Sequence, residues 1–138
     1  MKRAAVVFLA IFVAFGATTA AASYTDHEID MLAKAVWGEA RGTTPEEQRL
    51  VVWTVLQRVY TGKYGDTIEA VLTAPRQFQG YSASNPVCPE IRALVEAEVK
   101  KWERGEDPPT MEPYAKALPY LYFDGDGRTN WFRGEWKR

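Results

Sequence analysis

Two helix-start signals separated by a short connector constrain the fold of this chain more than any other feature of its sequence. Residues 25–28, Thr-Asp-His-Glu, form a capping box, in which the threonine hydroxyl accepts the N–H of Glu28 and Glu28 bonds back. Residues 44–47, Thr-Pro-Glu-Glu, repeat the signal with proline at the first helical position, where its missing N–H costs nothing. Gly42 and Gly62 can end the two segments. The pattern predicts a helix over 26–40 and a second from Pro45 to just before Gly62, packed as neighbours.

Apolar residues recur at three- and four-residue spacing along both segments, which predicts that each helix buries one face. These residues are Ile29, Leu32, Ala33, Val36 and Ala40 in the first helix, and Val51, Val52, Val55, Leu56 and Val59 in the second. A short helix is predicted over 67–73, a loop over 76–86 and a fourth helix from Pro89 to about Arg104. After a proline-containing linker, residues 120–132 have the pattern of a β-hairpin with a turn at 124–127. The predicted fold class is mostly α (α+β), a small helical domain with a C-terminal β-hairpin.

The first 22 residues have the order of a secretory signal peptide. A basic head, Met1-Lys2-Arg3, precedes an apolar run and a stretch of small residues that ends at Ala22. An uncleaved membrane anchor is the alternative, because no charge appears until Asp26. We expect cleavage, so the predicted organisation is a signal peptide over 1–22 and one domain over 23–138, with no stable membrane span afterwards.

The counts of reactive and charged residues exclude several classes of function. The 138 residues include one Cys and one His, too few for a disulfide framework or a Cys-rich or His-based zinc site. The net charge of −1 gives no basic surface for nucleic acid. Residues 124–135 resemble a calcium loop, but Arg128 and Thr129 occupy positions that need a ligand and glycine. We therefore expect no metal, no cofactor and no Cys88–His27 peptidase pair.

Glu39 is the carboxylate whose position is most informative. It lies at the border of the apolar stripe, near the predicted end of the first helix. Partial burial and the negative end of the helix dipole both favour the protonated form, which a general acid needs. Arg41 could oppose both effects if it pointed at Glu39. On spacing alone, the more common interpretation of such a residue is a solvated glutamate at a helix boundary.

The segment from Leu32 to Phe78 resembles the SleB/CwlJ family of cell-wall hydrolases. The resemblance depends on Glu-Ala-Arg-Gly at 39–42, on the V-x-x-V-x-x-R-V character of the second helix, and on Gln77-Phe78 before a loop. The hairpin, with Gly-Asp-Gly at 125–127 and Asn-Trp-Phe at 130–132, is also similar to the family. The chain departs at Gln57, where the family usually has Asn, which puts a supporting role for that amide in doubt.

The resemblance implies a lysozyme-like or lytic-transglycosylase-type domain that cleaves peptidoglycan, with Glu39 as the catalytic residue. A transglycosylase needs one carboxylate, which first protonates the glycosidic oxygen and then acts as base toward the 6-hydroxyl of muramic acid. A hydrolytic muramidase or glucosaminidase would use a water positioned by Gln or Tyr, or a second carboxylate, for which the candidates are Glu47, Asp66, Asp124 and Asp126. A catalytically silent wall-binding module is the alternative outside the enzymes.

The substrate is expected to lie against aromatic and amide side chains of the loop and hairpin, although for each aromatic ring packing in the core is an equally good interpretation. The candidate substrate-binding residues are Gln77, Phe78, Tyr81, Tyr122, Asn130 and Trp131, with Arg41 and Gln57 as supporting residues. The prediction is thus a monomeric enzyme of the cell envelope, secreted to the periplasm, wall or spore cortex, whose partner is the glycan strand of peptidoglycan.

Overall fold

The computed structural model describes residues 23–109, 122–125 and 130–133 of the chain. The predicted signal segment and the linker segment 110–121 lie outside these residues. The elements in chain order are α1 (Asp26–Ala40), α2 (Pro45–Thr61), α3 (Ile68–Thr73), α4 (Pro89–Glu103), β1 (Tyr122–Gly125) and β2 (Asn130–Arg133). The predicted fold class, mostly α with a C-terminal hairpin, is confirmed.

The capping box at the start of α1 forms as predicted. Glu28 N–H donates to Thr25 Oγ1 at 3.2 Å, and Thr25 N–H donates to Glu28 Oε2 at 2.8 Å. Helix α2 ends as predicted at Gly62, whose φ of 67° is left-handed and whose N–H bonds to the Val59 carbonyl. The end of α1 differs, because Arg41 is the C-cap residue and keeps right-handed helical angles.

The core lies between α1, α2 and α4, with α3 covering one end of α1 and α2. Trp53 of α2 is 1% exposed, and its indole N–H donates to the carboxylate of Glu98 on α4 at 2.8 Å. The apolar stripes of α1 and α2 face this core, as the spacing predicts. None of the described helices is both long and apolar enough to cross a membrane.

The hairpin packs on the helical core through aromatic residues and through a hydrogen bond from its backbone. Phe123 pairs with Phe132, with ring centroids 5.4 Å apart, and Phe123 also contacts Phe78 at 5.8 Å. The N–H of Asn130 donates to Glu47 Oε1 in the first turn of α2 at 2.9 Å. The predicted turn at 124–127 is wrong in its first half, because pairing with Trp131 and Asn130 continues β1 through residues 124 and 125.

Candidate active site

Glu39 lies in the last turn of α1 and is half-buried. Its Oε1 accepts a hydrogen bond of 2.7 Å from the backbone N–H of Gly80. Gly80 belongs to residues 76–86, which we call the Gly80 loop and which connect α3 to α4. The carboxylate therefore has a fixed orientation, given by a donor that lies 41 residues further along the chain.

Burial raises the pKa of the Glu39 carboxyl above its ordinary value of 4.5. Two smaller effects lower this pKa, namely the Gly80 N–H, which bonds to the anion, and the nearby positive charge of Arg58. Desolvation is the largest of the three effects, so the site favours the protonated carboxyl. A carboxyl group that retains its proton above the usual pH range is suited to donate it to a leaving group.

Two glycines let the Gly80 loop approach α1 at van der Waals distance. A Cβ on Gly38 would overlap the Gly80 carbonyl, and a Cβ on Gly80 would lie 2.5 Å from the Gly38 carbonyl oxygen. Any side chain at either position would therefore push the loop away from the helix. The close approach is what brings the Gly80 N–H within reach of Glu39.

Arg41 does not point at Glu39, so it does not lower the pKa of that carboxyl in the way that the sequence left open. Its guanidinium lies 4.4 Å from the centroid of the Trp37 ring and donates to the carbonyls of Trp37 and Gly38 at 3.3 and 3.4 Å. A cation bonded to the last carbonyls of a helix stabilises the negative end of the helix dipole. Arg41 thus supports the end of α1, and the cation that acts on Glu39 is Arg58.

Arg58 brings together several of the residues that the sequence selected. Only 3% of it is exposed, and its Nη1 donates to Gln77 Oε1 at 3.4 Å. Its guanidinium carbon lies 4.5 Å from the ring centroid of Tyr64, 5.0 Å from that of Phe78 and 5.6 Å from that of Tyr122. Aromatic rings stabilise a buried cation through their electron-rich faces. The result is a fixed positive charge behind the Glu39 carboxylate.

The six candidate substrate residues divide into exposed and buried groups. Trp131 is 47% exposed, and Tyr81 and Gln77 are half-buried. Phe78, Tyr122 and Asn130 are at most 5% exposed, because the two rings pack around Arg58 and Asn130 faces the core beside Glu47. Gln57 is half-buried on α2, directly before Arg58.

A cavity of about 200 Å³ lies at the C-terminal end of α1 and is lined by residues 38–43. Among the described residues that line it, Glu39 is the one acid. The Thr43 hydroxyl and the Gln48 amide both donate to the nearby Ala40 carbonyl, at 2.9 and 3.1 Å. Across the part of the chain that the structure describes, no three His, Cys, Asp or Glu side chains lie together as a metal site would require. The cavity thus offers the Glu39 carboxyl, the Arg41 guanidinium and backbone groups to a polar ligand.

Sequence reasoning did not select Arg58, Gly80 or Asn85. A signal for Arg58 exists, because it follows Val51 and Val55 at helical spacing and so places a charge on the buried stripe of α2. Asn85 donates to the Lys34 and Gly80 carbonyls at 3.1 and 2.8 Å. Nothing in the local pattern of the loop predicts those contacts, because both depend on how the loop packs on α1.

Comparison with known proteins finds relatives of one kind. The chain is 30% identical over 129 residues to a spore cortex-lytic enzyme of Halalkalibacterium halodurans, a match that covers 88% of this chain and 36% of the relative. It is 38% identical over 55 residues to a spore cortex-lytic enzyme of Oceanobacillus iheyensis, which covers 40% of this chain and 20% of that protein. The chain therefore spans about a third or less of the length of these relatives. No family model and no solved structure matches it. The two matches confirm the resemblance that the motifs indicate and support membership of the SleB-like family.

Proposed function

We propose that this protein is an exported enzyme that cleaves the glycan strand of peptidoglycan, with Glu39 as its catalytic residue. The observation that carries the proposal is the environment of Glu39, a carboxyl with a raised pKa, oriented by the Gly80 N–H at the edge of a cavity. The names of the two relatives, spore cortex-lytic enzymes, support a substrate in the bacterial cell wall. The signal-like segment 1–22 supports export to the cell envelope.

The proposed reaction is a lytic transglycosylation at N-acetylmuramic acid. Glu39 in its protonated form donates a proton to the glycosidic oxygen, and the bond from that oxygen to the muramic acid C1 breaks. The Glu39 carboxylate then removes the proton of the 6-hydroxyl while that oxygen bonds to C1, which closes a 1,6-anhydro ring. Glu39 has regained its proton, so one carboxyl serves both steps and no water is consumed.

The surroundings of Glu47 support the one-carboxylate route. Glu47, a candidate for the second carboxylate of a hydrolase, is 5% exposed and bonds to the hairpin N–H of Asn130. Asp66 is exposed in the connector between α2 and α3. The Asp124 side chain and Asp126 lie outside the described residues. A retaining or inverting hydrolase would need its second carboxyl at a defined distance across the scissile bond.

Arg58 and the aromatic residues are assigned complementary roles in the proposal. Arg58 limits the rise in the pKa of Glu39, so that the carboxyl can act as acid and afterwards as base. Tyr81 and Trp131 are exposed enough to contact sugar rings, with Gln77 as a hydrogen-bonding partner. The buried Phe78, Tyr122 and Asn130 would act indirectly, by shaping the wall behind the acid.

The test is mass spectrometry of purified peptidoglycan after digestion with the wild-type chain and with Glu39→Gln. We expect 1,6-anhydro-muramic ends from the wild type and a loss of activity of about 100-fold or more in Glu39→Gln. Glu46→Gln, an exposed glutamate on α2, is the matched control and should keep full activity. Reducing ends would replace the transglycosylase with a hydrolase, and free stem peptides would replace it with an amidase. Binding without products would indicate a wall-binding module, and full activity of Glu39→Gln would contradict the assignment of the catalytic residue.

A further inference from the structure

Asn85 lies in the Gly80 loop, five residues after the glycine whose N–H bonds to Glu39. Its side-chain amide donates to the carbonyl of Gly80 at 2.8 Å and to the carbonyl of Lys34 in α1 at 3.1 Å. Both partners are carbonyl oxygens, which only accept, so the NH2 end of the amide must face them. One of its hydrogens therefore joins the loop to the helix that carries Glu39, and the other bonds to Gly80 within the loop.

At its centre, the contact between the Gly80 loop and α1 is formed by two glycines, which have no side chains. Gly38 and Gly80 meet backbone to backbone, and neither position has room for a Cβ. Glycine has more backbone freedom than any other residue, so the feature that permits the close approach also leaves Gly80 the least restrained. A restraint on Gly80 must come from elsewhere in the loop, and Asn85 provides one.

The hydrogen bonds of Gly80 lie on both sides of its Cα. Its N–H donates to Glu39, and its carbonyl accepts from Asn85. The loop is further attached to the same helix by Lys34, whose Nζ donates to the Ala83 carbonyl at 2.8 Å. The Lys34 bond is exposed to solvent and comes from a long side chain, whereas both Asn85 bonds are partly buried, so the amide restrains the loop more strongly.

We propose that Asn85 is a positioning residue for the reaction, which holds Gly80 so that its N–H stays directed at the Glu39 carboxylate. The proposal rests on the proposed function, in which Glu39 is the acid. It assigns to the loop amide the task of fixing where the proton of Glu39 points. Without the Asn85 amide, the Gly80 N–H leaves Glu39 Oε1 for part of the time. The carboxyl then loses both its orientation and a donor that stabilises its anion.

The test compares Asn85→Ala and Asn85→Leu with Ser84→Ala, which removes an exposed hydroxyl from the same loop. Asn85→Leu removes both donors at nearly constant side-chain size, so it can report if Asn85→Ala does not fold. The pKa of the Glu39 carboxyl is measured in the full chain by carbon-13 NMR. The kcat, KM and pH profile are measured on purified peptidoglycan.

In both Asn85 variants we expect kcat to fall about tenfold, with KM changed by less than about threefold. The pKa of Glu39 should rise, since the anion loses a hydrogen bond, and the basic limb of kcat/KM should move to higher pH with it. Ser84→Ala should match the wild type. Folded Asn85 variants with the wild-type pKa and pH profile would show a merely structural role and overturn the proposal. The NMR titration needs no activity, so a wild type that does not cleave peptidoglycan would refute the proposed function while a shifted pKa still supported the role of Asn85.

Discussion

Glu39 and Glu98 are both removed from solvent, but they have opposite surroundings. Glu98 on α4 is 1% exposed and has three partners, namely the Trp53 N–H at 2.8 Å, Lys101 Nζ at 2.8 Å and Arg49 Nε at 3.4 Å. Glu39 is less buried, accepts from a backbone N–H and faces a cavity. Its nearby cation, Arg58, acts through its charge from among aromatic rings.

Under the proposed function, this difference means that burial alone does not identify a catalytic carboxylate. Two cations that contact a buried carboxylate stabilise its anion and make it part of the structure. A carboxylate that is partly buried, beside a cavity and short of direct cationic partners can hold and release a proton instead. The predictions below test whether the two glutamates are separable in this way.

The largest effect is expected from Gly38→Ala, which should disrupt the surroundings of Glu39 without touching Glu98. The new methyl group overlaps the Gly80 carbonyl, so the loop must move away from α1. We expect the free energy of unfolding, measured by urea denaturation, to fall by about 3 kcal/mol. Gly42→Ala is the matched stability control, because a Cβ there meets nothing within 4 Å. Equal losses in the two variants would contradict the tight contact.

Removal of the Arg58 charge should raise the pKa of Glu39 and leave Glu98 unaffected. Arg58→Met and Arg58→Lys both lose the planar contacts with the rings, and each should cost about 2 kcal/mol of stability in urea denaturation. Only Arg58→Met removes the positive charge, so only there should the pKa of Glu39 rise clearly in an NMR titration. A similar rise in Arg58→Lys would mean that burial, and not charge, is what Arg58 controls.

Neutralisation of Glu98 should lower the stability of the chain and leave its activity almost unchanged. In Glu98→Gln the amide oxygen can still accept from Trp53, but the attraction to Lys101 and Arg49 is lost. Both cations are partly exposed and can be hydrated, so we expect a loss of only about 1 kcal/mol in the free energy of unfolding. The kcat on peptidoglycan should stay within about twofold of the wild type, and a larger fall would link Glu98 to the reaction.

The smallest effect concerns the pH dependence of stability. The folded-state pKa of Glu39 is raised, so the folded chain keeps a proton that the unfolded chain has already lost. The contribution of Glu39 to stability is fully present when the pH is below the ordinary carboxyl pKa of 4.5. It is lost as the pH rises through the folded-state pKa of Glu39. Glu39→Gln has no such titration, so its Tm relative to the wild type should rise by roughly 1–3 °C between about pH 4 and about pH 8. A pH-independent difference would contradict the raised pKa.

Local sequence signals predicted the helices well and the site only in part. The bounds of α1 follow from a capping box and an apolar period, both of which act within a few residues. Glu39 could be selected because the Glu-Ala-Arg-Gly motif that carries the family resemblance is contiguous in the sequence, at residues 39–42. The roles of Arg58 and Asn85 could not, because they arise where α2 and the Gly80 loop meet α1. The choice between Arg41 and Arg58 as the cation that acts on Glu39 likewise depends on tertiary packing.

The meeting of Gly38 and Gly80 has a consequence for how this chain can be observed while it folds. In an unfolded chain or an isolated α1, Glu39 is a solvated carboxyl, because the packing that buries it and its donor 41 residues away are both absent. Its raised pKa requires burial in the folded chain, and the hydrogen bond from the docked loop then limits that rise. A single carbon-13 label in the Glu39 carboxyl would therefore report on folding locally, and it would distinguish a chain with formed helices from one in which the Gly80 loop has also docked on α1.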